Sequence, residues 1–410
     1  MPVGSNTIGW LAAAFAPGIT DRIRRVLANA GGPELDWPSR TAIATDRLAD
    51  APGSRTRGGN PPDLARALQI GAADPRVALA LGWLAEPGHH LLSLDDPAYP
   101  CLLQEIDDPP VLLHVAGRLD LLQRPALAMV GSRNPSALGA QTAEGFARGF
   151  SQAGLTVVSG LALGIDAAAH RGALGGAGST IAVVGTGLDI VYPARNRDLA
   201  HRIALDGALV SEFPLGTSAR ADHFPRRNRI LSGLALGCLV VEANLRSGSL
   251  ITARLATEQG REVFAIPGSI HSPMARGCHL LIRQGAKLTE STADVIEELG
   301  WARVPAAVPD ARASARGPAT DSAGAGGEAK SGTGADSAQV PPLDADPQAM
   351  LAVVTHEPVS ADTLCTVLGW TPQRVNAALV ELELAARIAP AGHGLFQRLA
   401  EPGFEFAGPG

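Results

Sequence analysis

The sequence predicts an α/β fold: a parallel sheet with helices on both faces, set between a small helical domain and a C-terminal winged helix. Three observations predict it. From Pro125 to about residue 300, short apolar runs alternate with helical stretches, which is how consecutive strand–helix units read. The first 95 residues break into short helical pieces. The last sixty or so carry a helix, a turn, a helix and a hairpin.

In order along the chain, Trp10 to Phe15 and Ile23 to Ala28 are apolar-periodic and are separated by Pro17-Gly18, and Gly31-Gly32-Pro33 ends the second. This suits a small helical, SAM-like domain over residues 1–95, although 39–62 is rich in Arg, Asp, Pro and Gly and specifies little. Residues 96–125 read as a connector, with Pro97, Pro100, Pro109 and Pro110. Strands are expected at 126–130, 155–158, 180–184, 208–212, 238–242 and 262–266. Helices are expected at 138–150, 165–174, 196–205, 226–235, 249–259 and 277–284. The central domain over 96–302 is thus an extended Rossmann-like sheet. Residues 303–347 are Ala, Gly, Ser, Pro and Asp with few large apolar side chains, and should be a disordered linker. In the winged-helix domain, 348–400, Ala361 to Leu368 is one helix. Thr371 caps and Pro372 starts the next, to about Ala385. Ile388 to Arg398, with Gly392 and Gly394, is the hairpin.

With 410 residues, 46% of them apolar, the chain can bury two or three cores. No run of about 18 apolar residues is present, which argues against a membrane span. No basic residue precedes Leu11 to Ala16, which argues against a secretory signal. The cysteines, 101, 238, 278 and 365, are far apart; nothing suggests a zinc site or a disulfide framework, and a reducing cytoplasm is expected. The net charge of −6 hides an asymmetry. Residues 124–300 carry +3 and the rest −9, and nearly all basic residues are arginine, with only Lys287 and Lys330 besides. Arginine grips phosphate through two parallel hydrogen bonds and stacks on bases.

In an open parallel sheet, ligands bind beyond the carboxyl ends of the strands. Here those ends are Val130-Gly131-Ser132-Arg133, Ser159-Gly160-Leu161-Ala162-Leu163-Gly164, Gly185-Thr186-Gly187, Ser211-Glu212-Phe213-Pro214, the run Glu242 to Ser249, and Pro267-Gly268-Ser269. Glycine lets backbone N–H groups approach an anion, and helix N-termini add positive dipole. Mononucleotide and dinucleotide sites of the usual kind are excluded. No GxxxxGK[ST] exists, and Gly185-Thr186-Gly187 is followed by Ile190 where a third glycine is required.

Arginines follow these loops: Arg133, Arg195 and Arg197 after Tyr192-Pro193, Arg226, Arg227 and Arg229 after Phe224-Pro225, and Arg246 before Ser247-Gly248-Ser249. With Tyr192, Phe213 and Phe224 they offer charge for a backbone and flat faces for unstacked bases, a combination that marks single-strand binding. Asp166, His170, Asp189 and Glu242 could suggest acid–base chemistry. Asp166 and His170, four residues apart on one helix, are expected to pair and to have a structural or loop-orienting role. No GxSxG is present.

These motifs resemble the DprA/Smf (DNA-processing protein A) family. The resemblance rests on Val130 to Arg133, Val158 to His170, Gly185 to Asp189 with Tyr192 to Asn196, Phe224 to Ile230, Ser247 to Ala253, and Gly260 to Gly268. It covers about 95–300. The family often has lysine after Tyr-Pro, where this chain has Ala194 and then Arg195. The resemblance implies a non-catalytic protein that binds incoming single-stranded DNA in natural transformation, dimerises through its Rossmann domain and loads RecA, with no cofactor and no metal. The DNA-contacting set it implies, together with the loop chemistry, is Gly131, Ser132, Arg133, Ser159, Gly160, Gly164, Tyr192, Arg195, Asn196, Phe224, Arg226, Arg227, Asn228, Arg229, Arg246, Ser247, Gly248 and Ser249.

An alternative is a nucleotide phosphoribohydrolase of related fold, "lysine decarboxylase-like". Such enzymes carry a PGGxGTxxE loop, where this chain has Asn244 to Ser249. A transcription factor led by the winged helix is disfavoured, because Pro372 to Ala385 holds only Arg374 against Glu381 and Glu383.

Overall fold

The computed structural model describes residues 5–50, 63–300, 345–355, 358–385, 387–391 and 394–399. They form two compact units, divided after Val295. The first opens with five helices: α1 (Ser5–Phe15), α2 (Asp21–Ala28), α3 (Trp37–Asp50), α4 (Leu64–Ala72) and α5 (Pro75–Leu84). Their starts follow from capping chemistry. Thr20, Asp63 and Asp74 each accept a first-turn N–H, and Pro75 opens α5.

The sheet follows: β1 (His89–Ser93), α6 (Cys101–Gln104), β2 (Leu112–Gly117), β3 (Ala126–Val130), α7 (Ala137–Gln152), β4 (Thr156–Ser159), α8 (Ile165–Ala173), β5 (Thr180–Val183), α9 (Arg197–Asp206), β6 (Ala208–Ser211), α10 (His223–Gly233), β7 (Gly237–Val240), α11 (Ser249–Glu258), β8 (Glu262–Ala265), α12 (Arg276–Arg283), β9 (Lys287–Leu288) and α13 (Thr292–Glu298). Nine strands form one sheet in the order β1-β2-β6-β5-β4-β3-β7-β8-β9. From β6 to β9 every neighbour is parallel, with Ala128 opposite Val158 and Cys238 in the middle of the ladder. All residues of β3 to β7 are buried, as strands covered by helices on both faces must be.

The six strands and six helices expected between residues 126 and 284 are all present. Three strands of the sheet were not expected, and one of them is the short β9 beside β8. β1 and β2 add to β6 as an antiparallel edge, with His89 opposite Ala116 and His114 opposite Ser211. The prolines that made 96–125 read as a connector, Pro97, Pro100, Pro109 and Pro110, all precede β2 and do not enter it. β1 falls inside the stretch assigned to the helical domain. The core explains this: Trp10, Leu27 and Leu64 of the helices belong to one continuous apolar cluster with Leu113, Val130 and Val158 of the sheet. Arg40, fully buried, ties α3 to the segment after β1. Its Nη2 donates to Asp95 at 2.6 Å, and its guanidinium lies 5.5 Å and 5.9 Å from the Trp10 and Trp37 ring centres.

The second unit contains α14 (Ala345–Val353), β10 (Val359–Ser360), α15 (Ala361–Leu368), α16 (Pro372–Leu384), β11 (Ile388–Pro390) and β12 (Leu395–Arg398). Its small antiparallel sheet has the order β10-β12-β11. Thr371 caps α16 and Pro372 opens it, as expected. Met350, Leu364, Val375, Leu379 and Leu382 make the core. The linker expected over 303–347 lies outside the described residues as far as 344; Ala345 already begins a helix. No described helix is long and apolar enough to cross a membrane.

Candidate nucleic-acid interface

The chain runs from β3 outward through β4, β5 and β6, then returns to the other side of β3 with β7. The carboxyl ends of β3 and β7 therefore flank a topological switch point, where a crevice opens. Its two walls are tied together: the Ser132 N–H donates to the Glu242 carbonyl at 2.7 Å, and the Ser136 N–H and Oγ donate to the Glu242 carboxylate at 2.9 and 2.5 Å. Glu242 thus occupies the N-terminus of α7. The anion expected at this helix start is the protein's own carboxylate.

The next loop is held the same way. Asp166, buried in α8, accepts the N–H groups of Gly160 at 3.1 Å and Ala162 at 3.4 Å. His170, one turn on and fully buried, accepts the Leu161 N–H at Nε2 (3.3 Å). The Thr180 hydroxyl donates to the Val157 carbonyl, so His170 Nδ1 carries the proton and donates to Thr180 at 2.7 Å. Burial pushes the His170 pKa down to about 3, with Arg227 and Arg171 adding to the effect, so the ring is neutral. Burial also raises the Asp166 pKa, opposed by Arg227 and the two amide donors. Asp166 and His170 do not bond to each other; both hold the loop. Asp189 does likewise for the Gly216 N–H, at 2.9 Å.

Gly160 is required because the Arg227 guanidinium fills the space where a Cβ would be. Arg227 is buried and donates to the Val183 carbonyl at 3.1 Å. Burial lowers its pKa to about 10, with Asp166 opposing the shift. Gly164 is required because its φ is +81° and a Cβ would strike the Ser132 carbonyl. Among the described residues, the N–H groups of Leu163, Gly164 and Gly248 donate to no acceptor.

The expected site residues separate into three groups. Arg133, Arg195 and Arg246 are exposed, and none has a carboxylate partner among the described residues. Arg133 lies over Phe224, 5.5 Å from the ring centre, and Phe224 meets the half-exposed Tyr192 at 5.7 Å. Side chains from two loops and the first turn of α10 thus form one cluster of a cation and two rings. Gly131, Gly164, Ser247 and Gly248 line the same rim. A second group is buried and braces the loops from behind. Ser159 donates to the Met129 carbonyl, Asn196 donates to the Leu161 and Ala162 carbonyls, and Ser132 and Ser249 are buried with Arg227.

A third group lies on α10 but faces carboxylates. Arg229 bonds Glu212 at 2.7 Å and Asp108 at 3.0 Å, and Arg226 bonds Glu212 at 3.1 Å and Asp21 at 2.8 Å. Asn228 is partly exposed between them. Phe213, expected to offer a flat face, is buried and stacked on His223 at 4.1 Å. Sequence reasoning missed Ser136 and Asp108. Ser136 was detectable as a cap three residues before Gly139; Asp108 had no local signal.

Comparison with known proteins agrees with this fold. The family described as DNA recombination-mediator protein A matches residues 90–300, and the DprA winged helix domain matches 334–394. The DNA processing protein DprA of Streptococcus pneumoniae is 52% identical over 206 residues, which cover 50% of this chain and 73% of that protein. Protein Smf of Escherichia coli is 49% identical over 228 residues, 55% of this chain and 61% of the relative. The X-ray structure of the S. pneumoniae DprA superimposes with a TM-score of 0.60 at 38% identity, over 73% of this chain and 99% of the other. Fold, motifs and matched residues together establish that this chain belongs to the DprA/Smf family.

Proposed function

We propose that the chain is a non-catalytic single-stranded DNA-binding protein, which holds incoming strands along the carboxyl rim of its sheet during natural transformation and passes them to RecA in the cytoplasm. The observation that carries the reading is the cluster of Arg133, Phe224 and Tyr192 at the switch point. An unstacked base can lie on an exposed ring while its phosphate meets the guanidinium; a base inside a duplex cannot. Arg195 and Arg246 continue the positive edge, and the unpaired amides of Leu163, Gly164 and Gly248 offer further donors to phosphate oxygens. The candidate acids and bases, Asp166, Asp189, Glu242 and His170, are all engaged with backbone amides, which favours binding over catalysis.

The winged helix is not the main DNA contact in this reading. Arg374, on the helix that would read a groove, is held by Asp346 at 2.6 Å. Two copies pair, we infer, at the open edge of the sheet. There the exposed Leu288 of β9 and Leu245 border a cleft of about 500 Å³ with Ile282, and a strand at the edge of a sheet invites a partner.

Electrophoretic mobility shift with single-stranded and duplex oligonucleotides of equal length tests the reading. The expected result is tighter binding of the single strand with little dependence on its sequence. Equal or tighter binding of the duplex refutes it.

A further inference from the structure

We propose that the helical domain withholds Arg226 from the bound strand, through an exchangeable latch between Asp21 of α2 and Arg226 of α10. The proposal rests on the single-strand reading above and concerns how that site is regulated. α10 starts at the rim, where Phe224 lies beneath Arg133. Two residues on, the Arg226 guanidinium sits 5.7 Å from the centre of the Phe213 ring, which stacks on His223. Arg226 therefore stands next to the track of the strand, yet its Nε and Nη2 both face carboxylates of the protein. Nε forms an ion pair with Glu212 Oε1 at 3.1 Å, and Nη2 donates a hydrogen bond to Asp21 at 2.8 Å, 205 residues away in sequence.

The two contacts differ in kind. The Glu212 side chain is 4% exposed and is shared with Arg229, itself 11% exposed. The buried pairing with Arg229 fixes Glu212 in place, so it presents a preset carboxylate to the Arg226 Nε. The Asp21 and Arg226 side chains are 43% and 45% exposed, and an ion pair so wet is weak and exchanges readily. Asp21 also keeps a second partner, Arg24 Nη1 at 2.6 Å, so losing Arg226 leaves no orphan carboxylate. Arg226 can thus remain fixed by Nε on Glu212 while its outer edge passes from Asp21 to a phosphate, which matches that edge equally well. The wider network favours the exchange. Arg24, Arg25, Arg226 and Arg229 face Asp21, Asp108 and Glu212, one positive charge in excess. Asp21, Arg24, Arg226 and Arg229 also border a cavity of about 260 Å³, which leaves room for the side chain to turn.

The test is a double-mutant cycle on the full chain, read as single-strand affinity by fluorescence anisotropy at several salt concentrations. Asp21→Asn should tighten binding by about threefold at low salt and steepen the salt dependence by about one phosphate contact. Arg226→Ala should weaken wild-type binding less than Arg133→Ala does, and should erase the Asp21→Asn gain. Glu34→Gln removes one exposed negative charge from the same domain without touching the latch, and should change nothing beyond a small uniform effect. Three outcomes overturn the latch: unchanged affinity and slope in Asp21→Asn, a gain that survives Arg226→Ala, or an equal gain from Glu34→Gln. Each leaves the single-strand reading intact. Failure of the wild-type chain to bind single strands overturns both.

Discussion

Asp166 Oδ2 accepts the N–H of Gly160 at 3.1 Å, from the first turn of α8, and the same oxygen takes Ala162 at 3.4 Å. This carboxylate therefore shapes the loop after β4 from beneath, where no strand can touch it. Asp166→Ala would leave two amides without acceptors and remove the negative charge nearest Arg227. A loss of about 3 kcal/mol is expected, and a smaller loss for Asp166→Asn, which keeps a carbonyl oxygen. Urea denaturation decides it: equal midpoints for the two variants would contradict the role.

Stability should fall in mild acid. His170 and His114 are buried, and burial pushes their pKa values down from 6.5 to about 3 and about 4. A histidine with a lowered folded pKa contributes stability that is complete above 6.5 and is lost as pH falls toward the folded value. The loss approaches about 1.4 kcal/mol per pH unit for each ring. The urea midpoint should therefore drop between pH 7 and pH 5, and drop less steeply in His114→Gln. A wild-type midpoint that does not move over that range refutes the assignment.

Two arginines from the expected contact set should respond oppositely to truncation. Arg133 is exposed and rests on Phe224, so Arg133→Ala should keep its melting temperature, lose single-strand affinity and shed about one unit of salt slope. Arg229 is buried against Glu212, so Arg229→Ala should lose about 3 kcal/mol of stability. Calorimetry and anisotropy on both variants would show a reversed pattern if the roles are misassigned.

The β9 edge should hold the second copy. Leu288→Asp places a charge on the exposed edge and should give a monomer mass in light scattering at micromolar concentration, against a dimer for the wild type. A dimeric variant, or a monomeric wild type, would exclude this edge.

A chain ending at Val304 lacks the winged helix and should keep most of its single-strand affinity, because Arg374 is already paired with Asp346. A loss well beyond tenfold, about 1.4 kcal/mol, would mean that the second unit adds a DNA contact of its own.

The alternation of strands and helices from Ala126 to Arg283 was legible in the chain itself, because central parallel strands are buried on both faces and read as unbroken apolar runs. The positions of the Gly-Ser loops followed directly, since turns from strand to helix need small residues. The Thr371-Pro372 start of α16 was equally local. The tertiary structure alone decided which polar residues face outward. Phe224 and Phe213 look alike in sequence, yet one lies at the rim beneath Arg133 and the other is buried against His223. Arg226, Arg227 and Arg229 form one run, but α10 aims them at Asp21, at the back of Gly160 and at Glu212. Those partners lie on segments remote in sequence, and Asp21 is 205 residues away. Charge pairing acts through space, so local pattern reports that an arginine is present, and only the packing of α2, β6 and α10 reports whether its charge is spent.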